Sequence, residues 1–171
     1  MVFNKKNIKI GVSVDALVGS YVEYVIERIK EAGFTNCEVV PIKDIYEGSD
    51  KKIGEVEQVV INGQSFFDAN AMFPYKTQII VSYHVKREIA FPISSKQACK
   101  MICGDLVKEL HELGYTEIYT EKIADLVTGW IHKEGSIKYV LVNGKTKYKK
   151  GDMFNYDVNI VIAYHAFAKK I

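Results

Sequence analysis

The sequence predicts an α+β fold: two tandem β-α-β-β-β units, each with one helix packed on a small, mostly antiparallel sheet. Two observations lead to this prediction. An internal repeat has a constant period of 81 residues, and in each copy apolar residues recur with the period of a strand or of a helix. The chain has 171 residues, which is enough for two small domains.

The repeat is the strongest signal in the chain. A shift of 81 residues aligns 33–84 with 114–165 without a gap, and 16 of the 52 aligned positions are identical. The same register continues upstream more weakly. It predicts a first unit at 8–84 and a second at 89–165, joined by the short segment 85–88, which lacks Gly, Pro and Ser and so indicates a stiff junction.

Each unit is predicted to open with a strand, 8–14 or 89–93, followed by a helix. The helix is indicated by an apolar stripe in both copies, Val18, Val22, Val25, Ile29 and Ala32 in the first and Ala98, Ile102, Leu106, Leu110 and Leu113 in the second. Gly33 and Gly114 are expected to end the helices in the left-handed conformation, and Ser94 or Ser95 to cap the second helix.

Three further strands complete each unit. They are predicted at 37–42, 56–61 and 79–84 in the first copy and at 118–123, 137–142 and 160–165 in the second. Between the last two strands, Asn62-Gly63 and Asn143-Gly144 supply residues that tolerate a positive φ at a turn.

This pattern resembles two consecutive PASTA domains. Residues 54–63, which read G-x-V-x-x-V-x-I-N-G, with the final strand ending near Tyr83, resemble the second half of such a domain, and the helix ending in E-A-G-F with the strand around Val39 resembles the first half. The second unit carries the matching segments G-S-I-K-Y-V-L-V-N-G and Y-K-K-G-D-M-F. The chain departs from the family where Asn62-Gly63 and Asn143-Gly144 replace the usual proline, and its units are longer.

The resemblance implies a non-enzymatic repeat module. PASTA domains occur in strings on the outer face of bacterial membrane proteins, where they are associated with cell-wall fragments, with spacing or with partner contacts. The implied partners are therefore peptidoglycan fragments or another protein. The family has no single catalytic motif, so the resemblance assigns no site residue.

Composition excludes several other classes of protein. A formal net charge of +2 is too small for a typical nucleic-acid surface, and no apolar stretch is long enough to cross a membrane. No apolar run follows the lysines of residues 1–9, so no signal peptide is visible; the protein is either cytoplasmic or an excised extracytoplasmic domain. Cys37, Cys99 and Cys103 lack zinc-site spacing, which predicts free, mostly buried thiols and no metal.

The candidate ligand-binding residues are polar or aromatic residues that recur or stand in loops: Asp44, Asp125, His84, His165 and Trp130. The histidines recur at the end of the closing strand, where a structural role is favoured over a functional one. The aspartates are expected in a loop, as Asx-turn residues. Cys99 and Cys103 are expected one turn apart on the second helix, at positions where the first unit has Val18 and Val22 as core residues.

Three functional hypotheses remain open. The first is a binding or spacer module outside a bacterial cell, and the second is a protein–protein interaction module. The third is an enzyme with a site at the junction of the units that uses Asp125, His132 or His165; the sequence disfavours it, because the two copies share mostly glycines and apolar residues and predict no convergent polar group. No cofactor is predicted.

Overall fold

A computed structural model describes residues 6–127 and 132–168. The chain divides between Lys86 and Arg87 into two compact units, each with its own apolar core. Both units are α+β, with helices and small mixed or antiparallel sheets, so the predicted fold class is confirmed. Among the described residues, no helix has both the length and the apolar character that a membrane span requires.

The two units contain the same elements in the same order. The first has β1 (Asn7–Lys9), α1 (Val14–Leu17), α2 (Val22–Glu31), β2 (Cys37–Ile45), β3 (Val56–Ile61), β4 (Met72–Pro74) and β5 (Ile79–Lys86). The second has β6 (Glu88–Ala90), α3 (Ser95–Ala98), α4 (Cys103–Leu113), β7 (Ile118–Leu126), β8 (Ile137–Val142), β9 (Met153–Asn155) and β10 (Ile160–Phe167).

Within the described residues, each unit has one three-stranded and one two-stranded sheet. The three-stranded sheets have the orders β2-β5-β3 and β7-β10-β8, and the two-stranded sheets pair β1 with β4 and β6 with β9. The central strand is parallel to β2 or β7 and antiparallel to β3 or β8. A parallel pair needs a long crossover, which the chain between β2 and β5 supplies.

The predicted long helix is interrupted in both copies. In the first unit, Val18 and Tyr21 have extended backbones, and the chain between α1 and α2 pairs with the start of β3 through the bond from the Gly19 amide to the Val56 carbonyl. Val18 is therefore exposed and does not belong to the core, contrary to the predicted stripe. In the second unit, Ile102 is likewise extended and exposed.

Most of the remaining helical stripe packs as predicted, but Leu113, at the end of α4, is exposed. Helix α2 buries Val22, Val25 and Ile29, and α4 buries Leu106 and Leu110, in each case in one core cluster with the inward side chains of the three-stranded sheet. Those side chains alternate along the closing strands, where Ile79 and Val81, and likewise Ile160 and Ile162, are fully buried.

Turns and helix ends follow the sequence prediction. Asn62 and Gly63 have φ of 52° and 77°, and Asn143 and Gly144 repeat these values at 50° and 74°. Gly33 and Gly114, with φ of 96° and 98°, follow their helices in the left-handed region. Side chains with a Cβ rarely adopt such angles, which explains glycine and asparagine at these points.

The cysteines depart from their predicted arrangement. All three thiols are free, but only Cys103 is buried, while Cys37 is intermediate and Cys99 is exposed. Cys99 follows the short helix α3 and Cys103 begins α4, so they do not share one helix. The extended residue Ile102 separates the two helices, which is why helical spacing did not apply.

Candidate functional site

His84 is at the centre of a polar cluster on the outer face of the first unit's three-stranded sheet. It follows Val81 and Tyr83 on β5 but points away from the core that these residues contact. Its backbone amide donates to the Glu55 carbonyl, and its carbonyl accepts from the Gly54 amide, both at 2.9 Å. The backbone of His84 therefore ties the segment before β3 to the closing strand.

The His84 side chain lies between two carboxylates. Nδ1 is 2.9 Å from Oδ1 of Asp44, and Nε2 is 2.9 Å from Oε2 of Glu57. A ring nitrogen must carry a hydrogen to bond a carboxylate, so only the imidazolium form donates to both at once. The His84 side chain is 4% exposed. Lys51 donates to the other Asp44 oxygen, Oδ2, at 2.6 Å.

The second unit builds a related cluster around His165. Nδ1 of His165 is 2.8 Å from Oδ1 of Asp125, and Lys138 donates to Oδ2 of the same aspartate at 2.9 Å. The exposed ring of His132 stacks on His165 with centroids 4.2 Å apart and an angle of 7° between planes. One face of the His165 ring is thus covered by a second imidazole, whereas the His84 ring contacts Glu57 through Nε2.

Charge stabilises both aspartates. A hydrogen bond from Lys51 has the largest effect and lowers the pKa of Asp44; burial opposes it, and a weaker hydrogen bond from His84 adds to the lowering. Hydrogen bonds from Lys138 and then His165 lower the pKa of Asp125 to about 2. Both carboxylates therefore stay ionised at neutral pH, while their partial exposure moderates the strength of these pairs.

The predicted role of the aspartates as loop residues is wrong. Asp44 lies in β2 and Asp125 in β7, because parallel pairing with the closing strand continues past a bulge to Ile45 and Leu126. Each carboxylate bonds a histidine and a lysine side chain in place of the expected Asx turn. The expectation that no polar group converges is also wrong, since the Asp–His pair recurs.

The ligand-binding role of Asp44, Asp125, His84 and His165 stays a prediction. Trp130, the remaining candidate, lies outside the described residues. The structure also brings together the three residues of the enzyme hypothesis, Asp125, His132 and His165, inside the second unit.

The Asp–His pairs join neighbouring strands within each unit. An Asp–His pair can orient a general base, but nucleophilic catalysis also requires a hydroxyl or thiol within reach of the ring. Within 6–127 and 132–168, the side-chain hydrogen bonds of His84 and His165 go to carboxylates and to no serine or cysteine. The described part of the chain also contains no group of three His, Cys, Asp or Glu residues that could hold a metal ion.

Sequence reasoning missed the lysine and glutamate members of these clusters, Lys51, Glu57 and Lys138. The sequence repeat indicates only the aspartate and histidine members of the clusters. Asp and His are separated by 40 residues in both copies, but their partners stand at different aligned positions, where identity in the repeat is lost.

No protein-family model and no curated protein sequence matches the chain. Over 91% of its length, the chain matches the structure of the entire extracellular region of the Ser/Thr kinase PrkC from Staphylococcus aureus, with 13% identity and a TM-score of 0.44. A three-PASTA-domain structure of a Ser/Thr kinase from Staphylococcus aureus matches over 95%, with 12% identity and a TM-score of 0.38. The chain spans 47% and 66% of these two structures. The second structure consists of PASTA domains, the family that the sequence resembles.

Proposed function

We propose that this chain is a non-enzymatic tandem module of PASTA-like type that acts outside a bacterial cell, as a spacer and as a contact for cell-wall fragments. The proposal rests on the structural role of the recurring polar residues. Asp44 with His84, and Asp125 with His165, join neighbouring strands of one unit. A repeated polar pair with this role supports a duplicated scaffold, and the resemblance supplies the expected ligand class.

The enzyme alternative is weaker for a physical reason. The relative exposure of His84 is 3% and that of His165 is 6%, and each ring already bonds a carboxylate. A general base needs a free ring nitrogen within hydrogen-bond reach of a substrate proton. In the first unit both nitrogens are occupied, and in the second His132 covers one face of the ring.

The alternative, a protein-interaction module, would use exposed strand edges, which can pair with a strand of a partner. In the three-stranded sheets, β2 and β7 form one edge and β3 and β8 the other. The sequences of β2 and β7 discourage pairing with another strand. Pro41 removes a backbone donor from β2, and Glu121 and Lys122 place exposed charges on β7. Proline and charge are the usual means by which natural edge strands resist strand addition.

Co-sedimentation with purified bacterial sacculi tests the proposal. The chain is expected to pellet with sacculi in a saturable manner, and to be displaced by soluble muropeptides. Sacculi carry charge and the chain has a formal net charge of +2, so the assay is run also at about 0.5 M salt, where the Debye length falls to a few ångströms.

A soluble globular protein of similar isoelectric point is the control. Retention of the chain at high salt while the control stays in solution would support wall binding. Failure of the chain to pellet above the control, at both salt concentrations, would contradict the wall-contact part of the proposal. Light scattering on the same sample separates this outcome from self-association.

A further inference from the structure

We propose that the outer face of the three-stranded sheet in the second unit is a glycan-binding surface organised by Tyr119 and Tyr139. This inference rests on the proposed function for its ligand class and adds the surface that makes the contact. The tyrosine face is defined by four residues, Tyr119, Tyr139, Leu141 and Val161, together with the carboxylates of Glu117 and Glu121.

Strand pairing places these residues side by side. Val161 on the central strand pairs with Tyr119 on β7 and with Leu141 on β8, which makes one row across the sheet. Two residues further along, Ala163 pairs with Glu121 and Tyr139 in a second row. Both rows point away from the core, because Ile160 and Ile162, between which Val161 lies, belong to the core.

Hydrogen bonds hold both tyrosine rings in place. The Tyr139 hydroxyl donates to Oε2 of Glu121 at 3.1 Å, across Ala163, and Ala163 is fully buried on this face of the sheet. The Tyr119 hydroxyl donates to Glu117. These carboxylates also raise the pKa of each phenol, so the tyrosines remain neutral donors. A ring fixed before binding loses little side-chain entropy when a ligand stacks on it.

The first unit shows that the fold does not require this face. The positions equivalent to Tyr119 and Tyr139 are Glu38 and Gln58, and both are exposed. His132, which stacks on His165 on the same face, corresponds to Lys51. Aromatic residues replace polar ones at all three positions of one surface in one copy, whereas residues that serve the shared fold recur in both copies.

The chemistry of the tyrosine face fits a carbohydrate. Sugar rings combine flat apolar C–H faces with hydroxyl edges, and aromatic rings bordered by carboxylates complement both. Tyr119 is 50% exposed, while Tyr139, Leu141 and Val161 are partly exposed. From strand spacing and rise, the Cα atoms of the two tyrosines are about 12 Å apart, which is close to the length of a disaccharide.

The extent of the surface favours a glycan over a protein partner. A half-exposed tyrosine offers on the order of 100 Å² of contact area, and the other three residues offer less. Their sum is well below the roughly 800 Å² per partner of a stable protein–protein interface. A neutral oligosaccharide with N-acetyl groups, whose methyls suit Leu141 and Val161, is the ligand class that we infer.

An NMR titration with chitotetraose, a β-1,4-linked oligomer of N-acetylglucosamine, tests this inference on the full chain. Amide shifts are expected at Tyr119, Leu141, Val161 and Ala163. The double variant Tyr119→Glu with Tyr139→Gln installs the residues of the first unit and is expected to weaken binding about ten-fold or more. The double variant Tyr119→Phe with Tyr139→Phe keeps both rings and is expected to bind within a few-fold of wild type.

The matched control is Tyr21→Ile with Tyr24→Asp, which exchanges two exposed tyrosines of the first unit for the residues that the second unit carries. Binding should be unchanged in this variant. Absence of amide shifts at millimolar oligosaccharide, or equal weakening by the control, would overturn the inference. If wild type pellets with sacculi but the Tyr119→Glu, Tyr139→Gln variant pellets equally, the glycan surface is wrong and the proposed function survives. If chitotetraose binds but sacculi do not, the proposed wall contact fails and the surface survives.

Discussion

Lys51 and Lys138 do not align in the repeat, yet each donates to the Oδ2 atom of the equivalent aspartate, at 2.6 and 2.9 Å. The residue of the second unit that aligns with Lys51 is His132, and the residue of the first unit that aligns with Lys138 is Glu57. In each unit one lysine bonds the aspartate of the Asp–His pair, from position 51 in the first unit and from position 138, which aligns with 57, in the second. The residue at the other aligned position, Glu57 or His132, contacts the histidine.

Because the lysine occupies different aligned positions in the two units, we expect substitutions at positions 51 and 57 to have coupled effects on stability. Glu57→Lys alone should destabilise the first unit, because it removes the carboxylate that contacts His84 Nε2 and places a second cation near Lys51. Adding Lys51→His recreates the arrangement of the second unit and should recover stability. Urea unfolding of the wild type, both single variants and the double variant measures the coupling. Additive effects of the two substitutions would contradict it.

Lowering the pH should reduce the folding stability of the second unit, because Asp125 becomes protonated. Its pKa of about 2 lies below the ordinary value of 3.8, so the ionised form is favoured in the folded state. A depressed pKa contributes stability that is present above the ordinary value and is lost as pH falls from about 4 to about 2. Asp125→Asn lacks this contribution. The stability difference between wild type and variant should therefore be largest near neutral pH and shrink below about pH 4.

Urea midpoints across this pH range provide the measurement. Glu47→Gln, a substitution at an exposed residue of the first unit, is the control for the general effect of removing a carboxylate. Asp44→Asn should behave in the same direction as Asp125→Asn, because its pKa is also lowered by a lysine and a histidine. A difference between wild type and Asp125→Asn that does not change with pH would refute this assignment.

Replacing His84 should destabilise the first unit and leave the stability of the second unchanged. His84→Asn removes the ring that contacts two carboxylates from a buried position, which typically costs about 1–3 kcal/mol of unfolding free energy. Hydrogen exchange resolves the units, because the amide of Val81 reports on the first and that of Ile162 on the second. His111→Asn, at an exposed helix end, is the control and should change stability by less than about 0.5 kcal/mol. Equal loss of protection in both units would show that His84 does not act locally.

The periodic parts of the fold were predictable from sequence. Strands β3 and β8 begin and end at the predicted residues, because their apolar alternation is confined between a glycine and an Asn-Gly turn. The interrupted helix was not predictable, since Val18 and Ile102 continue the helical stripe although their backbones are extended. The chain between the two helices pairs near the start of β3 or β8. Long-range pairing overrode local periodicity at those points.

The candidate clusters were predictable only as recurring residue types. Asp44 and His84 were selected because they recur, but their contact depends on the parallel register of β2 and β5, in which Ile42 pairs with His84. A sequence read locally does not specify that register. Tyr119 and Tyr139 differ from their counterparts in the first unit, so the repeat does not single them out.

Two buried tyrosines of the second unit offer a matched test of hydroxyl pairing. Tyr115 donates to the Ile89 carbonyl at 2.7 Å, whereas the Tyr148 hydroxyl is buried and has no hydrogen-bond partner among the described residues. Burial raises the pKa of both phenols to about 12. The first unit has phenylalanine at the equivalent positions, Phe34 and Phe67, so both sites accept the smaller side chain.

Tyr115→Phe and Tyr148→Phe should therefore change stability in opposite directions. Loss of the Tyr115 hydroxyl removes a buried hydrogen bond and should lower the unfolding free energy by about 1 kcal/mol. Loss of the Tyr148 hydroxyl removes an unpaired polar group and should leave stability unchanged or raise it by up to about 1 kcal/mol. Chemical denaturation measures both, and each variant controls for the other because the same atom is deleted. A destabilisation of Tyr148→Phe as large as that of Tyr115→Phe would mean that the Tyr148 hydroxyl is hydrogen-bonded in solution.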